Sequence, residues 1–158
     1  MTARVPDDFI ARWRGVTASE LSTSQSFLIE LCELLDVPRP HPTPEQDYLF
    51  ERPITFAHGD GTTSAGRVDL YRRAAFVLES KKLRAGSSKA FDEGMLRARS
   101  QAEQYARALP AAEGRPPFVV VVDVGNRIEL YAAQLIATLV AVGRARGEKN
   151  GKFSRVEN

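Results

Sequence analysis

The 158-residue sequence is poor in the residues that build metal cages and covalent staples: one cysteine and two histidines. A lone Cys32 excludes a disulfide framework and leads us to expect a reducing, cytoplasmic setting. Its neighbours Leu31, Leu34 and Leu35 favour a buried structural thiol over a nucleophile. His41 lies in a proline-rich loop and His58 beside Gly59-Asp60-Gly61, with no second histidine or cysteine at ligand spacing, which argues against a zinc centre. Gly59-x-Gly61 opens no helix, so a dinucleotide loop is excluded, and no base accompanies Ser26 or Ser80 as a hydrolase triad would need. Long apolar runs are missing too. AAQLIATLVAV, at 132–142, is about half of the roughly 20 residues a membrane span needs, and the N-terminus has no apolar signal core. Charge of one sign is scarce: the net charge of +2 allows a polyanionic partner without arguing for one.

What is present is an ordered series of elements. Thr17-Ala18-Ser19-Glu20 fits a capping box, and Phe27, Leu28, Leu31, Leu34 and Leu35 recur behind it at helical spacing. Pro38, Pro40, Pro42 and Pro44 forbid further helix. RPITFAHGDGTTSAGRVDLY reads as two strands around a hairpin loop, and AAFVLESKKL as a third strand after a break at Arg72-Arg73. Phe91, Met95, Ala98, Ala102, Tyr105 and Leu109 form one helical stripe that Pro110 ends. PPFVVVVDVG is too apolar for an edge and reads as a central strand, with a further short strand at Arg127 to Tyr131. The fold class expected is α/β with α+β mixing: an αβββαβ core whose central mixed sheet is flanked by helices. Residues 1–131 form the domain, and 132–158 a divergent tail, helical and then a disordered basic stretch.

The chemistry concentrates in RVDLYRRAAFVLESKKL. Alternation puts Glu79 and Lys81 on one face, and a turn at Arg72-Arg73 folds the Asp69 strand back beside Glu79. Two neighbouring carboxylates repel unless a cation neutralises them, and hard oxygen ligands suit Mg²⁺ or Mn²⁺. Solvent-facing strand charges are the plain alternative. Against it, aspartate is disfavoured in strands, yet Asp69 sits between Val68 and Leu70. Gln101 and Tyr105, four apart on the following helix, share one side of it.

This order of elements, with Asp69, Glu79-Ser80-Lys81 and Gln101-x-x-x-Tyr105, resembles the PD-(D/E)xK nuclease superfamily, in particular its RecB-like branch. More narrowly, FIARWRGVTASELSTSQSFLIELCELLDVPRP followed by the motif is similar to the N-terminal endonuclease domain of MmeI-like (type IIL) restriction–modification enzymes, which join a nuclease to an adenine-specific DNA methyltransferase. The similarity spans roughly residues 8 to 131. It implies a Mg²⁺- or Mn²⁺-dependent endonuclease with Asp69 and Glu79 as metal ligands and Lys81 as the group that positions the attacking water. It also implies supporting catalytic roles for Gln101 and Tyr105. Glu20 is the first choice for the acidic residue of the first helix that joins the metal site in this superfamily, in competition with its capping role. Val68 stands where the motif's namesake proline would be.

Lys82, Arg84 and Lys89, with Arg97 and Arg99 beyond, are either a solvated face or contacts to the phosphates of double-stranded DNA without base specificity. The family's methyltransferase and target-recognition modules have no counterpart in this sequence, so such modules are expected on another chain. A homo-oligomer is left open. The alternative function is a non-catalytic DNA-binding or interaction remnant.

Overall fold

The computed structural model describes residues 6–16, 20–43, 45–83 and 87–132, with the side chains of 20–22 outside the description. The elements run α1 (Pro6–Trp13), α2 (Glu20–Leu34), β1 (Tyr48–Ala57), β2 (Thr63–Arg72), β3 (Phe76–Lys81), α3 (Ser88–Ala108), a 3₁₀ turn (Ala111–Glu113), β4 (Phe118–Asp123) and β5 (Arg127–Ala132). The strands make one sheet in sequence order. β3 and β4 pair in parallel and the other neighbours are antiparallel, so the sheet is mixed, as expected. The parallel pair requires a crossover, which α3 supplies.

The apolar stripe of α3 builds the core on one face of the sheet. Met95, Ala98, Ala102, Tyr105 and Leu109 pack there against Leu49, Tyr71, Val77, Val119 and Val121. Ser87 caps this helix by accepting the Ala90 amide at 3.2 Å. α1 and α2 cover the other face, where Phe9, Trp13, Phe27 and Leu28 meet Leu70, Leu78 and Val122. β4 is an interior strand, as its valine run implies, but it lies between β3 and the edge strand β5, and β3 takes the centre of the sheet.

α1 is an element the sequence reading left out. Pro6 opens it and Asp7 and Asp8 occupy its first turn, where acidic groups offset the helix dipole. Phe9 and Trp13, one turn apart, are its buried residues, and Trp13 stands edge-on to Phe27 at 5.3 Å. Gly125 lets α1 dock: a Cβ there would lie 2.1 Å from the Trp13 carbonyl oxygen. Residues 17–19 and the Glu20 side chain, which would form the capping box, and the tail beyond Ala132 lie outside the described residues. Among the described residues no helix is long and apolar enough to cross a membrane.

One place in the sheet departs from simple alternation. β1 and β2 keep a constant register on both sides of it: Leu49 faces Tyr71 and Phe50 faces Leu70, then Arg52 faces Val68 and Ile54 faces Gly66. Yet Leu49 and Tyr71, which are odd-numbered, join the α3 core, whereas beyond it the even-numbered Ile54 and Val68 do so. Both strands therefore switch faces together at Glu51 and Asp69, which stand opposite each other where the ladder between Phe50–Leu70 and Arg52–Val68 is interrupted. Glu51 bears the strain, with φ at 55°, in the left-handed region that side chains other than glycine's disfavour.

Candidate active site

β2 and β3 pair at only three rungs: Leu70 with Leu78, Tyr71 with Val77, and Arg72 with Phe76. Past Leu70 the strands part, and Asp69 turns its carboxylate across the gap. Its Oδ2 accepts both the Ser80 amide (2.7 Å) and the Ser80 hydroxyl (2.8 Å). Two donors on one oxygen fix the carboxylate's orientation, and hydrogen bonds to an ionised acceptor are the strong kind. Ser80 is itself buried and is held from the far side by the parallel pairing of β3 with β4.

Glu79 is only 2% exposed, and Lys81 Nζ donates to its Oε1 at 2.7 Å. The shared face that alternation predicts for Glu79 and Lys81 is thus met by a direct ion pair. Burying that carboxylate is tolerable because an ammonium accompanies it.

Asp69, Glu79, Ser80, Lys81 and Gln101 line one cleft of about 290 Å³, together with Ser24, Gln25 and Leu28 of α2 and Phe50 and Glu51 of β1. Of the sequence-derived site, Asp69, Glu79, Lys81 and Gln101 therefore meet in one place. Tyr105 does not reach it. It is 8% exposed in the α3 core, stacked near Phe56 with ring centroids 5.6 Å apart. Its hydroxyl accepts Gln101 Nε2 at 3.0 Å, so Tyr105 reaches the cleft only by holding Gln101. Gly66 makes room for this ring, since a Cβ there would stand 2.7 Å from Tyr105 Cε1.

Glu51 is the cleft residue that sequence reasoning missed. It lies across the sheet from Asp69, and like charges in that relation repel. Burial and the Asp69 charge push its carboxyl above the ordinary value, with Arg67 pulling the other way. Neither cause has a sequence signature, because both follow from the face switch. Three carboxylates against one ammonium leave the charged groups lining the cleft acidic. Even so, among the described residues no three histidine, cysteine or acidic side chains are gathered closely enough to hold a metal between them.

Glu20 opens α2, but its side chain is outside the described residues, as is Arg84. Lys82 donates to the Val124 carbonyl at 3.2 Å, while Lys89 is exposed near the start of α3. Arg99 pairs with Glu103 at 2.8 Å and lies over the Tyr131 ring, so it supports the fold. Cys32 is buried beside the Tyr48 hydroxyl, as a structural thiol should be. His58 bonds the exposed Ser64 on the β1–β2 hairpin, far along the chain from the cleft residues of that ladder.

Fold and cleft together define a mixed α/β domain with an acidic, lysine-bearing cleft where two strands part. A family model described as MmeI, N-terminal domain matches residues 1–153, and the chain belongs to that family. The family ties it to restriction–modification enzymes. The match runs past Ala132 into residues that the sequence reading sets apart as a tail. Neither a curated protein nor a solved structure matches the chain.

Proposed function

We propose that the chain is a PD-(D/E)xK-type DNA endonuclease domain of a restriction–modification system, dependent on Mg²⁺ or Mn²⁺. The observation that carries this reading is the meeting of Asp69, Glu79 and Lys81 in one cleft at the parted ends of β2 and β3. The donor set fits a hard divalent cation. It offers carboxylate oxygens without histidine or thiolate, and it is too open to form a closed protein cage. Mg²⁺ and Mn²⁺ suit such sites because one or two carboxylates hold them and waters complete the octahedron. Asp69 and Glu79 would be the ligands.

When bound, the cation polarises a phosphate oxygen and makes water a better nucleophile near neutral pH. The chain's own residues do the rest. Ser80 takes one oxygen of Asp69 and so sets the direction of the other. Lys81 holds Glu79 and presents its ammonium in the cleft, where it orients the attacking water and steadies charge growing on the phosphate. Gln101, braced by Tyr105, positions the substrate backbone. The water oxygen would bond to phosphorus as the bond to the leaving deoxyribose oxygen breaks; the attacking water's proton is released to solvent, and the leaving oxygen takes up a proton from solvent to become a hydroxyl. Lys89 and Arg84 are proposed contacts to DNA phosphates. Lys82 has a weaker case because its ammonium already serves Val124. Choice of sequence would fall to a target-recognition module, with a methyltransferase as its partner activity.

The test is plasmid cleavage with Mg²⁺ or Mn²⁺ by the wild-type chain and by Asp69→Ala and Lys81→Ala. Metal-dependent nicking that both substitutions abolish supports the reading. DNA binding with no cleavage under any metal favours the non-catalytic remnant instead.

A further inference from the structure

The cleft has an acidic wall that the Asp–Glu–Lys motif does not account for. We infer that Glu51 is the third acidic group of the cation site, so that β1, β2 and β3 each contribute one carboxylate around it. This rests on the cation reading proposed above. Three observations lead to it. Glu51 stands opposite Asp69, between the Phe50–Leu70 and Arg52–Val68 pairs of the β1–β2 ladder, and lines the same cleft as Asp69 and Glu79. The face switch at that point turns both side chains toward the cleft, at the expense of a left-handed glutamate in the middle of a strand. Finally, Ser24 on α2 is 5% exposed and lines the same cleft, and its hydroxyl oxygen has no hydrogen-bond partner among the described residues.

A buried hydroxyl left unsatisfied costs free energy, and a ligand in the cleft would satisfy it. The chemistry that serves an acidic wall and a hydroxyl together is a hydrated divalent cation. Its charge relieves the repulsion between Glu51 and Asp69, and its waters can donate to Ser24. Because the carboxylates do not converge on one point, Glu51 acts on the cation through a bridging water and Asp69 and Glu79 bind directly.

The experiment is a Mn²⁺ titration of the full chain, followed by the paramagnetic signal of free Mn²⁺, with thermal melts of the metal-free proteins alongside. Wild type, Asp69→Asn, Glu51→Gln and Glu51→Gly are compared. Glycine is included because it accepts the left-handed backbone without strain. We expect Asp69→Asn to lose saturable binding. Both Glu51 variants should bind Mn²⁺ about tenfold more weakly, in the range seen when outer-shell partners of a metal are removed. The metal-free Glu51→Gln chain should melt no lower than wild type, since a repulsion has been removed. Wild-type affinity in either folded Glu51 variant overturns the inference while leaving the cation reading intact. A wild-type chain that binds no Mn²⁺, or an Asp69→Asn chain that binds it normally, overturns both.

Discussion

The two ends of the β2–β3 pair differ as scaffold differs from site. At the turn end, Leu70–Leu78 and Tyr71–Val77 close regular rungs whose side chains are buried in the two cores. At the other end the ladder stops, and Asp69, Ser80, Glu79 and Lys81 bond through side chains instead. A few residues of strand thus separate apolar packing from a charged cleft. The lesson is that the charged end can form only because the apolar end fixes the strands. Freed of pairing there, the backbone leaves the Ser80 amide to a carboxylate.

The sharpest way to break this comparison is to remove the charge and leave the packing. Asp69→Ala should lower metal-dependent DNA cleavage by about a thousandfold or more, the scale on which a positioned charge-stabilising group acts. The fold should survive, because the rungs below are untouched, but it should melt lower than wild type, because the buried Ser80 amide and hydroxyl lose their acceptor. Cleavage rates and melts on the same preparation check both halves.

The converse substitution is Val77→Ala, at the scaffold end. Val77 is fully buried, and truncating it should cost about 2 kcal/mol through lost burial and a residual cavity. Mn²⁺ affinity of the folded fraction should stay at the wild-type level, which denaturant titration with a parallel Mn²⁺ titration would show.

Gly66→Ala tests whether the α3 core reaches the cleft. The new methyl would meet Tyr105 and Phe56 at 2.7 and 2.8 Å, and overpacking of that kind costs about 1–2 kcal/mol. Displacing Tyr105 loosens Gln101, so cleavage should fall while Mn²⁺ affinity holds. The smallest effect concerns the strained position. Glu51→Val should be about 1 kcal/mol less stable than Glu51→Gly, because a β-branched residue tolerates φ of 55° worst. Equal stability of the two would mean that the backbone relaxes and the face switch is not fixed.

These same residues show what the sequence made legible. Glu79 and Lys81 lie on β3, where simple alternation holds, so their shared face could be derived from spacing alone. Asp69 could be brought near them by the turn, although its bonds go to Ser80 rather than to its rung partner. Glu51 was hidden because its direction depends on a coordinated departure from alternation in two strands. α1 was hidden because eight residues with two apolar positions give too little periodicity to stand out. Tyr105 belonged to two patterns, the buried stripe of α3 and the pairing with Gln101. The stripe decided its place: it is a core residue that braces a cleft residue.

The central claim is that the parted ends of β2 and β3 hold a divalent cation. Anomalous diffraction from crystals of the chain grown with Mn²⁺ tests it most directly. The account predicts one strong peak about 2.1 Å from a carboxylate oxygen of Asp69 and a like distance from one of Glu79. A cleft without such a peak, in crystals where Mn²⁺ binds elsewhere or not at all, would contradict it.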